Sequence, residues 1–168
     1  MEKRKNIKMN KFIRYILIAL IVLNCILIFN FSSEKSEKSD VTSGRVINTI
    51  IEINPRTKGL SNQEKEKVKK RIVVPVRKTA HFTVYTSLGM LLYLCARTFE
   101  GENKRKMLIS LMLAFLYACS DEIHQLFVSG RSCELKDVCI DTCGALFGIV
   151  IALGIVRILT IIKEKKKM

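Results

Sequence analysis

The sequence predicts an all-α integral membrane bundle of four transmembrane helices, with one long extracytoplasmic loop that carries short amphipathic helices. Three observations lead there. Four apolar segments, 12–31, 79–99, 107–128 and 137–162, each approach the roughly 20 residues that a helix needs to cross a hydrocarbon core. None alternates with the two-residue period of a barrel strand, and backbone in lipid must satisfy its own hydrogen bonds, which leaves helices as the spanning structure. Lys and Arg gather at the segment ends, where positive charge is retained on the cytoplasmic side of short loops. At 168 residues, 49% of them hydrophobic, the chain makes one small domain. It divides into a basic amino terminus and first span (1–31), the loop (32–77), a three-helix core (78–162) and a basic tail (163–168).

Lys3-Arg4-Lys5, Lys8, Lys11 and Arg14 precede the first apolar run, which raises the possibility of a signal peptide. The uncharged stretch 15–33 exceeds a signal core of roughly 7–15 residues, and no A-x-A-like site closes it, so it reads as an uncleaved anchor. The loop opens with the polar run Ser32 to Asp40, which looks solvated. Two amphipathic helices are then expected. In 45–53, Val46, Ile47, Ile50 and Ile51 recur at spacings of three and four; in 61–74, Ser61 and Glu64 form a capping-box pattern ahead of a basic helix. The Lys-rich helix suits anionic lipid or wall polymers, and a solvated basic linker is the other reading.

The amino terminus, Lys104-Arg105-Lys106 and the tail Lys163-Glu164-Lys165-Lys166-Lys167 share one face if there are four crossings. Both termini are then cytoplasmic, and loops 32–78 and 129–136 lie outside. Against this, Lys65, Lys67, Lys69, Lys70, Arg71, Arg77 and Lys78 put positive charge on the outer face. Long loops translocate largely regardless of charge, although this one is only moderately long.

Ser120-Asp121-Glu122-Ile123-His124-Gln125 places two carboxylates, an imidazole and an amide within apolar sequence. A charged side chain at the centre of a membrane helix costs roughly 2.5–3.5 kcal/mol on insertion scales, so such groups face protein, a partner charge or water and mark function. Helical spacing puts Lys78, His81 and Tyr85 on one stripe, Tyr117, Asp121 and His124 on a second beside Glu122 and Gln125, and Asp137, Asp141, Gly144 and Gly148 on a third. All three begin at the outer ends of their helices and converge on one outer-leaflet cavity. Gly144-Ala145-Leu146-Phe147-Gly148 is a small-xxx-small motif that lets helices approach along the third stripe.

Lys78-x2-His81-Phe82-x2-Tyr85, Ser120-Asp121-Glu122-x-His124-Gln125-x-Phe127-Val128-x-Gly130-Arg131 and Asp137-Val138-x2-Asp141-x2-Gly144 together resemble the VanZ family, and Phe31-Ser32-Ser33 resembles its usual opening. The motifs span 78–148 and depart at Ser129, where the family more often has proline. The resemblance implies a small multi-pass protein of the bacterial cell envelope, in a family associated with teicoplanin resistance and without an established reaction. Its polar signature falls on Lys78, His81, Tyr85, Asp121, Glu122, His124, Gln125, Arg131, Asp137 and Asp141, the positions the stripes select.

Three functions fit these residues. In the first, a pocket binds a lipid-linked cell-wall precursor or a lipoglycopeptide, with Lys78 and Arg131 meeting phosphate or carboxylate. In the second, the site is an acid/base enzyme acting on a prenyl-phosphate or peptidoglycan-precursor lipid: Glu122 or Asp121 is the base, His124 or His81 the acid or base, and Lys78 or Arg131 the anion stabiliser. No H-E-x-x-H or G-x-S-x-G motif supports catalysis. A metal version needs His81, His124 and Glu122 or Asp141, but the chain's two histidines lie on different helices, so no metal or cofactor is expected. In the third, the charges only neutralise one another and fix helix register. Membrane lipids are the expected partners; nucleic acid is not, because topology explains the net charge of +14.

Cys25, Cys95 and Cys119 fall in apolar helices as small hydrophobes; Cys139 and Cys143 share a helix face without pairing; Cys133 falls in the outer loop. A membrane-impermeant thiol reagent applied to intact cells is expected to label Cys133 in a chain whose other cysteines are replaced. Labelling only after lysis would invert the topology.

Overall fold

A computed structural model describes residues 11–34 and 36–166, except for the side chains of 36–40, 42 and 56; every regular element among the described residues is a helix. The charges of residues 1–10, Lys35 and Lys167, which bear on the orientation, lie outside the described residues. The elements are α1 (Lys11–Ser33), α2 (Ser36–Ile53), the single turn α3 (Pro55–Lys58), α4 (Asn62–Ala96), α5 (Asn103–Gln125) and α6 (Leu135–Lys165). Of these, α1, α5 and α6 are long and apolar enough to cross a membrane.

The expected amphipathic helix 61–74 and the apolar segment 79–99 are not separate elements: α4 runs through both in 35 residues. Ser61 starts it with a full capping box, the Ser61 N–H donating to Glu64 Oε2 (2.9 Å) and the Glu64 N–H to Ser61 Oγ (3.4 Å). Pro75 removes one intrahelical donor, but the helix continues through it because tertiary packing holds both sides. α2 packs against α4, and its Ile47 and Ile51 are both buried. The expected stripe on α2 is therefore divided, since Val46 and Ile50 stay exposed. α2 also begins earlier than expected, at Ser36.

The second half of α4 lies among α1, α5 and α6, and polar contacts fix their antiparallel order. At one end, Arg14 Nε donates to Thr98 Oγ1 (2.9 Å), Nη2 donates to the Thr98 carbonyl (2.7 Å), and the guanidinium sits 4.1 Å from the Phe99 ring centroid. Midway, Asn24 bonds Ser87, and Tyr117 OH donates to the Cys25 carbonyl (2.7 Å). At the other end, α1 meets α5 where Ser32 Oγ donates to Asp121 Oδ2 (2.8 Å). One core cluster joins Ile28, Tyr85, Leu88, Ala118 and Val138; a second joins Tyr93, Ile149 and Ala152. Leu108, Leu116, Val150 and Ile158 are among many large apolar side chains left on the outside, as lipid-facing surfaces require.

The tightest contact is between α4 and α6. A Cβ on Gly144 would strike the backbone of Phe82, one on Gly148 the carbonyl oxygen of Thr86, and one on Gly89 the carbonyl oxygen of Ala145. The small-xxx-small motif therefore works as read, with Gly89 an unforeseen third member on the facing helix.

Gly148→Ala is expected to destabilise the protein by roughly 1–3 kcal/mol, the usual cost of overpacking, because backbone cannot move aside as a side-chain tip can. Gly154→Ala, at a position within α6 with open space around it, should keep or raise the thermal midpoint in detergent, since alanine is the better helix former. Equal midpoints for the two variants would overturn this account of the α4–α6 contact.

Candidate functional site

The α4–α6 approach sets His81 beside Asp141, with Nδ1 3.7 Å from Oδ2. Both carboxylate oxygens of Asp141 lie within protein and have no hydrogen-bond partner. His81 and Asp141 line a cavity of about 260 Å³ at the end of the bundle where α6 begins. The cavity brings together seven of the ten expected positions: Lys78, His81, Glu122, Gln125, Arg131, Asp137 and Asp141. Arg77 and Glu134 also line it.

Its cations are engaged. Lys78 Nζ is ion-paired to Asp137 and, at 3.3 Å, to Glu134 Oε2. The Asp137 hydrogen bond holds the ammonium above its ordinary pKa. Arg131 follows Gly130, whose φ of 77° lies in the left-handed region that glycine adopts without strain, so the chain turns there after α5. The guanidinium then reaches back: Nε donates to the Glu34 carbonyl (2.9 Å), Nη2 to the Phe31 carbonyl (2.8 Å) and Nη1 to Gln125 Oε1 (3.3 Å). Arg131 thus bonds carbonyls at and just beyond the end of α1. Burial pulls its pKa below the ordinary arginine value, and Arg77 adds to the effect.

Glu122 holds the start of α6. Its Oε2 accepts the backbone N–H of Glu134 (2.9 Å), the N-cap residue, which has no side-chain cap of its own. A carboxylate at a helix N-terminus is favoured by the helix dipole. Glu122 Oε1 has no partner.

Three expected residues lie outside the cavity lining. Asp121 sits behind it, its Oδ2 accepting from Ser32 Oγ (2.8 Å) and Gln125 Nε2 (3.3 Å). It is still close: one carboxylate oxygen of Asp121, one of Asp141 and a ring nitrogen of His81 lie within 4.8 Å of one another. Tyr85 is fully buried in the core below, its hydroxyl unpartnered. His124 turns to α1, stacked on Phe29 with ring centroids 4.6 Å apart and with Nε2 3.0 Å from Ser33 Oγ. The histidine pair of the metal version is therefore not assembled, because residue 124 falls on the α1 side of α5 while 121, 122 and 125 face inward. Sequence reasoning missed Ser32 and Glu134 as parts of the site. Ser32 carried a signal in Phe31-Ser32-Ser33; Glu134 lies one helical turn before Asp137.

The described cysteines are all free; Cys133 is exposed in the loop before α6, while Cys139 and Cys143 are exposed on α6 itself.

The family model VanZ/LLP1 matches residues 14–159 of the chain. No curated protein and no solved structure matches it.

Arg131→Lys is expected to cost roughly 1–3 kcal/mol in unfolding experiments, since an ammonium cannot serve three fixed acceptors and loses charged hydrogen bonds to α1. The same measurement on His124→Ala, a half-buried surface contact, should show a smaller loss. A larger loss for His124→Ala would mean that Arg131 does not anchor α1.

Proposed function

The chain belongs to the VanZ/LLP1 family of membrane proteins, and from that membership and the chemistry of the cavity we propose a binding function in the bacterial cell envelope. The protein crosses the membrane four times with both termini cytoplasmic, and its cavity lies in the outer half of the bilayer. There it takes the anionic headgroup of a lipid-linked wall precursor or of a lipoglycopeptide, which links it to teicoplanin-type resistance.

The observation that carries this reading is a cavity that holds arginine and lysine beside carboxylates inside an otherwise apolar bundle. Charge at such depth is costly and is retained where it serves a ligand. The Lys78 side chain stays part-exposed beside Asp137 and Glu134, so an incoming phosphate or carboxylate would share its ammonium with them. The fourth span is the second half of α4, which carries no charged residue from Thr79 to Ala96. The positive-inside rule supports the orientation: Arg14, at the start of α1, bonds Thr98, just beyond α4, so the Lys104-Arg105-Lys106 run in the first turn of α5 and the basic end of α6 face the same side.

The test is susceptibility to teicoplanin and vancomycin in a Gram-positive host expressing the chain. Wild type should raise teicoplanin resistance selectively. Lys78→Gln, at matched membrane levels, should remove the gain, because losing a charged hydrogen bond worth roughly 1.5–3 kcal/mol weakens a ligand about tenfold or more. No shift with wild type would overturn the resistance reading.

A further inference from the structure

The geometry points to a divalent transition-metal site, of the manganese, zinc or ferrous-iron class, formed by a His81 ring nitrogen and one carboxylate oxygen each from Asp121 and Asp141. Its three ligand atoms already lie within 4.8 Å of one another. Bonds of roughly 2.0–2.2 Å place neighbouring ligands about 3–3.5 Å apart, so side-chain adjustments bring the set to bonding distance. Within the set, His81 Nδ1 stands 3.7 Å from Asp141 Oδ2.

A second observation is independent of that convergence. Asp141 is 1% exposed, yet neither of its oxygens has a hydrogen-bond partner. A buried carboxylate left so is expensive unless something supplies positive charge or a proton. Lys78 serves Asp137 and Glu134, and Arg131 serves Gln125 and two backbone carbonyls, so neither bonds Asp141. Two carboxylates on a divalent ion sum to zero charge, which suits an apolar bundle better than two adjacent anions do.

The donor set chooses the ion class. One imidazole nitrogen disfavours calcium and magnesium, which prefer oxygen alone, while carboxylates suit manganese, iron and zinc. Ser32 and Gln125 both bond Oδ2 of Asp121 and fix the carboxylate's orientation, as partners behind metal-bound ligands do. The remaining coordination positions belong to water from the adjoining cavity, which His81 and Asp141 line. His124 has no part in the site.

Full-length protein, purified in detergent and stripped with a chelator, is titrated with manganese(II), then with zinc(II) in competition. Wild type should take up one manganese per chain, with calcium and magnesium competing poorly. His81→Gln and Asp141→Asn should weaken binding about tenfold or more, a floor set by the effect of losing partners behind the ligands, and His124→Gln should bind as wild type does. If the first two variants do not fold, manganese spin-echo spectra of wild type labelled with 15N-histidine decide: nitrogen coupling is expected. No uptake, equal uptake by folded His81→Gln and Asp141→Asn, or manganese without nitrogen coupling overturns the site and leaves a proton as the partner of Asp141. Because no antibiotic enters this titration, a missing resistance phenotype does not bear on it. A metal-free protein that still shifts susceptibility sinks this inference alone.

Discussion

The rest of the structure depends on one constraint, the backbone-to-backbone approach of α4 and α6. Gly89, Gly144 and Gly148 leave no room for a side chain, and this absence of atoms is what lets His81 and Asp141 sit 3.7 Å apart within protein. In lipid the hydrophobic effect does not drive helices together, so close van der Waals contact and interhelical polar bonds must do it. The glycines supply the first. The second comes from the same helices about two turns from Gly144, where Lys78 meets Asp137. Packing and polar site are thus one interface seen at two depths.

Around that interface, several charged groups hold elements in place. Arg131 ties the turn after α5 to the end of α1, and Glu122 caps α6 from α5. Ser32 ties α1 to Asp121. Each bond joins the end of one helix to another element, where helix termini leave backbone groups unmet. A purely structural role therefore explains much of the polar signature. It leaves Asp141, the second oxygen of Glu122 and the Tyr85 hydroxyl without hydrogen-bond partners. These define the part of the site that packing alone does not require.

The cavity thus has two chemical sides. One consists of Lys78 and Arg131, both engaged within the protein; the other consists of carboxylates and the His81 imidazole. The exposed apolar surfaces of α1, α5 and α6 surround this polar end with a setting that suits hydrocarbon.

The sequence by itself determined the helical class, the apolar segments at 12–31, 107–128 and 137–162, the family, and the stripes carrying Lys78, His81, Glu122, Asp137 and Asp141, because hydrophobic length and helical spacing are local properties. Local pattern also identified Gly144 and Gly148 as a contact surface. Tertiary structure decided what local pattern cannot encode. It carried α4 unbroken through Pro75, since packing by α2 and the bundle outweighs one lost hydrogen bond. It divided the α2 stripe, burying Ile47 but not Val46. It also turned His124 toward Phe29 while Asp121 faced His81, because a helix stripe gives an angle about its own axis, and only the neighbouring helices fix what stands at that angle.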